Sequence, residues 1–78
     1  NSLIQQMLAS GEIDNAGIAN SLLSKVLNAA DAAASGNVQA SDNIMQAFIN
    51  QVSAQSGQHI SASAAAILIN AATYIINN

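Results

Sequence analysis

Apolar residues recur along this chain at three- and four-residue intervals, and the pattern is interrupted near Gly11, Gly36 and Gly57. Leu3, Ile4, Met7 and Leu8 share one helical face and predict a short first helix over residues 2–10. Ile18, Leu22, Val26, Ala29 and Ala33 form a second stripe, widened by Leu23, Leu27 and Ala30, in a helix expected over residues 14–34. Val38, Met45, Phe48, Ile49 and Val52 mark a third over residues 38–55. Ala64, Ala65, Leu68, Ala71, Ala72 and Ile75 give the main face of a fourth over residues 61–77. Ile67, Ile69 and Ile76 spread that face to both flanks, so this helix is expected to be the most buried. The period is helical throughout, and the connections are too short for anything but antiparallel neighbours. The fold class expected is therefore all-α: a single-domain, small up-and-down bundle of three long helices plus a short N-terminal helix, covering residues 1–78.

The stops and starts follow from backbone chemistry. Gly11, Gly36 and Gly57 each end a helical pattern, the place where a left-handed residue closes a helix C-terminus. Asp14 is read as the N-cap of the second helix, with Ile13 and Ile18 as a hydrophobic staple across it. Ile60 and Ser61 repeat that arrangement before the fourth helix, and Asn37 is the expected cap of the third. Gly17 falls in a first turn, where its helix cost is smaller than in a helix middle. Two stretches also look alike, "LIQQMLASGEIDNAGIANSLL" and "FINQVSAQSGQHISASAAAIL", once one residue of offset is allowed. They read either as a duplicated helix–turn–helix unit or as two independent hairpins with glycine stops.

Composition changes the picture in one respect. The segment "NIMQAFINQVSAQSG", Asn43 to Gly57, has helical spacing and no charged side chain, and its wet positions are mostly amides and hydroxyls. The whole chain follows suit: 51% of residues are hydrophobic and only 6% charged, against roughly 25% charged in an average domain. The net charge of −3 rests on Glu12, Asp14, Asp31 and Asp42 against Lys25. Lacking a basic patch, the chain is a poor partner for nucleic acid or an anionic membrane. There is no cysteine, so neither a disulfide nor a thiolate metal site can supplement the core. The most apolar run, Ala62 to Ile76, would make about 22 Å of helix, short of the roughly 30 Å of a bilayer core. The chain begins at Asn1 with no signal-peptide pattern, which suggests a processed or excised piece of a longer protein.

No catalytic constellation emerges, and no catalytic, cofactor-binding or metal-binding residue is assigned. His59 stands in the turn "GQHIS" with no cysteine or carboxylate beside it in sequence, and one histidine cannot complete a zinc site. "DAAASGNVQASD", Asp31 to Asp42, fits a twelve-residue calcium frame at Gly36 and Val38. Its third position is Ala33 and its last is Asp42 rather than glutamate, so a glycine turn between helices is the simpler reading. The serines lie in no nucleophile elbow, and a triad would have to draw on His59. Glu12 and Asp14 sit together where negative charge favours the following helix N-terminus. Phe48 is expected at the centre of the core with Leu22, Leu68 and Ile75 around it, and Tyr74 half exposed. A single ring is a poor stacking platform for sugar or base.

The run "AFINQVSAQSG", preceded by "LLSKVLNAADAAASGN" and followed by "AAAILINAATYIIN", resembles the FIMAH-type helical module. The resemblance extends from "LIQQMLASGEI" to "TYIIN", nearly the whole chain. It implies a small helical bundle of the kind found at the ends of large secreted bacterial proteins, including glycoside hydrolases and adhesin-like chains. It brings no catalytic residues. The sequence departs from the family in having few Lys, Arg and Glu, which weighs against a role needing a charged face. The expectation is a non-catalytic accessory, spacer or docking module of a larger extracellular protein, a secreted hydrolase. Its partners would be the parent enzyme's domains or another protein surface. A self-associating structural domain is the alternative, and weak polysaccharide contact through amide side chains a further one.

Overall fold

The computed structural model describes residues 2–76 and has four helices: α1 (Ser2–Ser10), α2 (Ala16–Ala34), α3 (Val38–Gln55) and α4 (Ala62–Ile76). The first and third match the expected bounds, and the second and fourth start after the capping residue that the expectation had included. The expected last position of the fourth helix, residue 77, lies outside the described residues. Among the described residues there is no strand, only isolated bridges in the turns. The result is a small all-α bundle, 35 × 18 × 16 Å, in which α3 packs against both α2 and α4, and α1 lies against α2.

The core is built from the predicted stripes. Ile4 and Met7 of α1, Ala19 and Leu22 of α2, Met45, Phe48 and Val52 of α3, and Ala64, Ala65, Leu68 and Ala72 of α4 are all buried. Each large apolar side chain removed from water contributes roughly 1.5–3 kcal/mol. With so short a chain, these few residues decide whether the fold exists. Ile13 and Ile60, which lie in turns, are as fully buried as any helical residue.

Five residues assigned to inward faces need correction. Ile75, expected beside Phe48 in the core, is 51% exposed; Leu27 and Val38, each assigned to an inward face, are 62% exposed. Ala33 and Ala71 also face solvent. Ala33, Ala71 and Ile75 stand on the walls of one open groove, whereas Leu27 and Val38 lie outside it. Tyr74, expected half exposed, stands 70% exposed on α4.

The turn between α2 and α3 is compact because its hydrogen bonds close tightly. Asn37 N–H donates to the Ala32 carbonyl at 2.8 Å, and Gly36 N–H to the Ala33 carbonyl at 3.0 Å. This is a Schellman closure, which needs a left-handed residue, and Gly36 supplies it with φ +84. Asn37 then caps α3, its Oδ1 accepting from Ala40 N–H at 3.2 Å. Ser61 caps α4 as expected, accepting from Ala64 N–H at 3.1 Å.

The start of α2 differs from the expectation. Asn15, not Asp14, is the N-cap: its backbone is extended and its Oδ1 accepts from Ile18 N–H at 3.0 Å. Ile18 therefore occupies the third helical position, and the Ile13–Ile18 staple across an Asp14 cap is not formed. Asp14 is unavailable because both its backbone and its carboxylate are bonded to His59. Gly17 leaves room for the cap, since a Cβ there would lie 3.1 Å from the Asn15 side-chain oxygen.

This assignment predicts an order of effects in urea denaturation. Asn15→Ala should lose about 1 kcal/mol, the usual worth of an N-cap. Asp14→Ala, removing an exposed pair, should lose less. The reverse order would restore Asp14 as the cap.

Candidate functional site

Three polar assemblies and one apolar groove are the places where this chain could act on something else. The first lies where the α1–α2 and α3–α4 turns meet. Ile13 and Ile60 form an antiparallel bridge, flanked by Ser61 N–H to the Glu12 carbonyl at 2.7 Å and Asp14 N–H to the His59 carbonyl at 2.9 Å. The isoleucines' own N–H groups turn back on the preceding helices, Ile13 to the Met7 carbonyl and Ile60 to the Gln55 carbonyl, each at 3.1 Å. On the wet side, His59 Nδ1 lies 2.8 Å from Asp14 Oδ1. His59, isolated in sequence, thus acquires a carboxylate partner from the other hairpin. Both side chains are more than half exposed, so the pair contributes at most about 1 kcal/mol. A nucleophile would need to sit against the imidazole, and no serine hydrogen bond to His59 is present among the described residues.

The second assembly ties α2 to α3. Lys25 Nζ donates to Gln51 Oε1 at 2.8 Å and to Ser21 Oγ at 3.0 Å, while Ser21 Oγ donates to Gln51 Oε1 at 3.2 Å. The single lysine of the chain is therefore spent on an amide and a hydroxyl rather than on a carboxylate.

The third is the stretch from Asp31 to Asp42. All of it except Ser35, Gly36 and Asn37 is helical. Asp31 lies in α2 and Asp42 in α3, and the Asp31 carbonyl accepts from Ser35 N–H. A calcium loop wraps its ligands around the ion from an irregular backbone; here the helices hold the two carboxylates apart from any such wrapping. Among the described residues, no three His, Cys, Asp or Glu side chains gather within reach of one metal ion.

The groove was not read from the sequence. It encloses about 240 Å³ between α2, α3 and α4, with Leu3 and Ile4 of α1 closing one end. Its walls include Val26, Ala29, Ala30 and Ala33 of α2, Met45 and Phe48 of α3, and Leu68, Ala71, Ala72 and Ile75 of α4. Ser41 is the one polar residue among those that line it, and no charged residue does. Chemically the groove can exclude water and bury an apolar surface; it offers no acid, base or charge. The signal that could have found it was present in the alanines on the stripes of α2 and α4, which leave room between the helices.

No helix among the described residues is long and apolar enough to cross a membrane. A match to the FIMAH domain family spans residues 1–77, almost the entire chain. No curated protein and no solved structure matches it.

If the Asp31 to Asp42 stretch is only two helix ends and a turn, millimolar calcium should leave the melting temperature unchanged. A ligand bound at that stretch raises stability by RT ln(1 + [L]/Kd). A rise of several degrees that Asp31→Ala abolishes would show a calcium site there.

Proposed function

The chain belongs to the FIMAH domain family, and from that premise we propose that it is a non-catalytic accessory module of a larger extracellular bacterial protein, a secreted hydrolase, in which it acts as a spacer or docking unit. The observation that carries this reading is the groove. The groove is apolar, partly open, and without a charged group on its walls. The titratable side chains, by contrast, are dispersed. Asp14 and His59 pair in a solvent-exposed turn, Asp31 and Asp42 stand on two different helices, and Lys25 is held by neutral partners.

The charge-poor surface supports the same reading. Neutral amides and hydroxyls keep a domain hydrated while creating little long-range field. Contacts made by such a surface depend weakly on ionic strength, which suits a unit that must sit beside another domain under varied external conditions. Self-association is favoured by one specific observation, the exposed Leu27, Val38, Ile67 and Ile75. Sedimentation across a range of concentrations separates it from docking to a parent domain.

The test is deletion of residues 1–78 from the full-length protein, followed by assay on a soluble and an insoluble form of the same substrate. The kcat on the soluble substrate should stay within about twofold, because the module supplies no transition-state contact. Loss should appear as lower thermal stability, altered assembly or weaker action on the insoluble polymer. A fall of the order of a hundredfold in kcat on the soluble form, with the remaining domains folded, would mean that the bundle helps to build an active site.

A further inference from the structure

The two hairpins, α1–α2 and α3–α4, hold each other through a contact that reads the same from either side. Ile13 faces Ile60. The N–H just after the one, of Asp14, donates to the carbonyl just before the other, of His59; the N–H just after Ile60, of Ser61, donates to the carbonyl just before Ile13, of Glu12. The side-chain bonds of Asp14 with His59, and of Gln51 with Ser21 and Lys25, likewise have one partner in each hairpin. Each hairpin therefore carries a surface made for the other, whichever copy of the chain that other belongs to. The connection between them is slight. Ser35 N–H still makes a helical bond to the Asp31 carbonyl. The chain departs from the helix at Gly36, φ +84, and Asn37, φ −92 and ψ 72. Residues 33–39 are all exposed, the longest such run among the described residues, so unbending this turn takes no side chain of its own out of the core. The sequence has no proline to hold the bend. Straightened, residues 16–55 would make one helix of about 60 Å. On that helix Leu27, Ala34 and Val38 fall on one stripe about three turns long. Leu27 and Val38, 62% exposed in the bent form and outside the groove, would there make a seam for a second, antiparallel helix.

We propose that the turn at residues 35–37 is a hinge through which two copies of this chain exchange hairpins. Each α1–α2 hairpin then clasps the α3–α4 hairpin of the other copy, and the two straightened α2–α3 helices run antiparallel. Exchange of identical elements keeps the contacts of the closed form. The balance between the two forms is therefore set by protein concentration against the preference of the hinge. Gly36 holds the hinge bent, because a left-handed turn costs glycine little while a place inside a helix costs it more than most residues. Alanine at that position has both preferences reversed. The Leu27–Val38 seam adds contact in the exchanged form alone. The inference goes beyond the accessory reading and does not rest on it.

The experiment uses the 78-residue chain, unfolded in urea and refolded over a range of concentrations up to millimolar. Size-exclusion chromatography should show a dimer at the upper end, and on dilution that dimer should separate only as fast as the bundle unfolds. Gly36→Ala should lower the concentration at which half the chains are dimeric by about tenfold or more. Gly11→Ala puts the same strain, at φ +86, into a turn inside one hairpin, and in neither case does the added Cβ meet an atom within 4 Å. It should leave that concentration unchanged. Asp14→Cys and His59→Cys, both at exposed positions in a chain without cysteine, read the exchange itself. Residues 14 and 59 lie directly opposite across the bridge, where Cα atoms stand about 5.5 Å apart, within reach of a disulfide. Refolded together, the two variants should give a disulfide-linked dimer; either variant alone should not. The proposal is overturned by a chain that stays monomeric throughout, or by a dimer that separates at once on dilution. It is equally overturned if either variant alone cross-links as well as the mixture, or if Gly11→Ala acts as strongly as Gly36→Ala. Because this assay reads the isolated chain and the deletion assay reads catalysis by the parent, either reading can fail while the other stands.

Discussion

Everything in this bundle depends on the meeting of Ile13 and Ile60. Both side chains are fully buried, and they face each other as a pair flanked by two backbone hydrogen bonds. In an antiparallel bridge, that kind of pair brings the side chains closest. The arrangement solves two problems together. A turn that is buried must satisfy its backbone polar groups without water, and here the N–H groups of Ile13, Asp14, Ile60 and Ser61 are each given a carbonyl. A chain with no cysteine must also join its two hairpins without a disulfide. The clasp does both, because the N–H that ends one helix belongs to the residue whose side chain enters the common core.

The clasp also explains what could and could not be read from the sequence. The helices were legible because their stripes are regular and their stops are glycines: Gly11, Gly36 and Gly57 all have positive φ, between +78 and +86. The cap of α4 was legible because the Ser61 hydroxyl acts on its own helix alone. The cap of α2 was not, since Asp14 is drawn away by His59, a residue of the other hairpin. The cap follows Ile60 directly but follows Ile13 by two residues, with Asp14 standing between.

The exposed faces of Leu27, Val38 and Ile75 were illegible for a different reason. Periodicity tells which residues share a face, and it is silent on whether another helix reaches that far. Ile75 stands on a wall of the groove and is half exposed there, while Leu27 and Val38 lie outside it. The chemical candidates fared according to the range of the forces that place them. His59 found a partner that sequence spacing hid, and Asp31 and Asp42 stayed where their helices put them. The neutral wet surface, the most unusual feature of the composition, stands beside a groove whose walls carry no charged residue.

Amide hydrogen exchange at the clasp tests this account most directly. If the two hairpins form one cooperative unit through Ile13 and Ile60, the Asp14 and Ser61 amides should exchange only by global unfolding, as slowly as that of Val52, fully buried in α3. Exchange of both amides at the rate of an open first-turn amide such as Gln39, while Val52 remains protected, would mean that the turns part without unfolding the bundle, and the clasp could not be what holds it together.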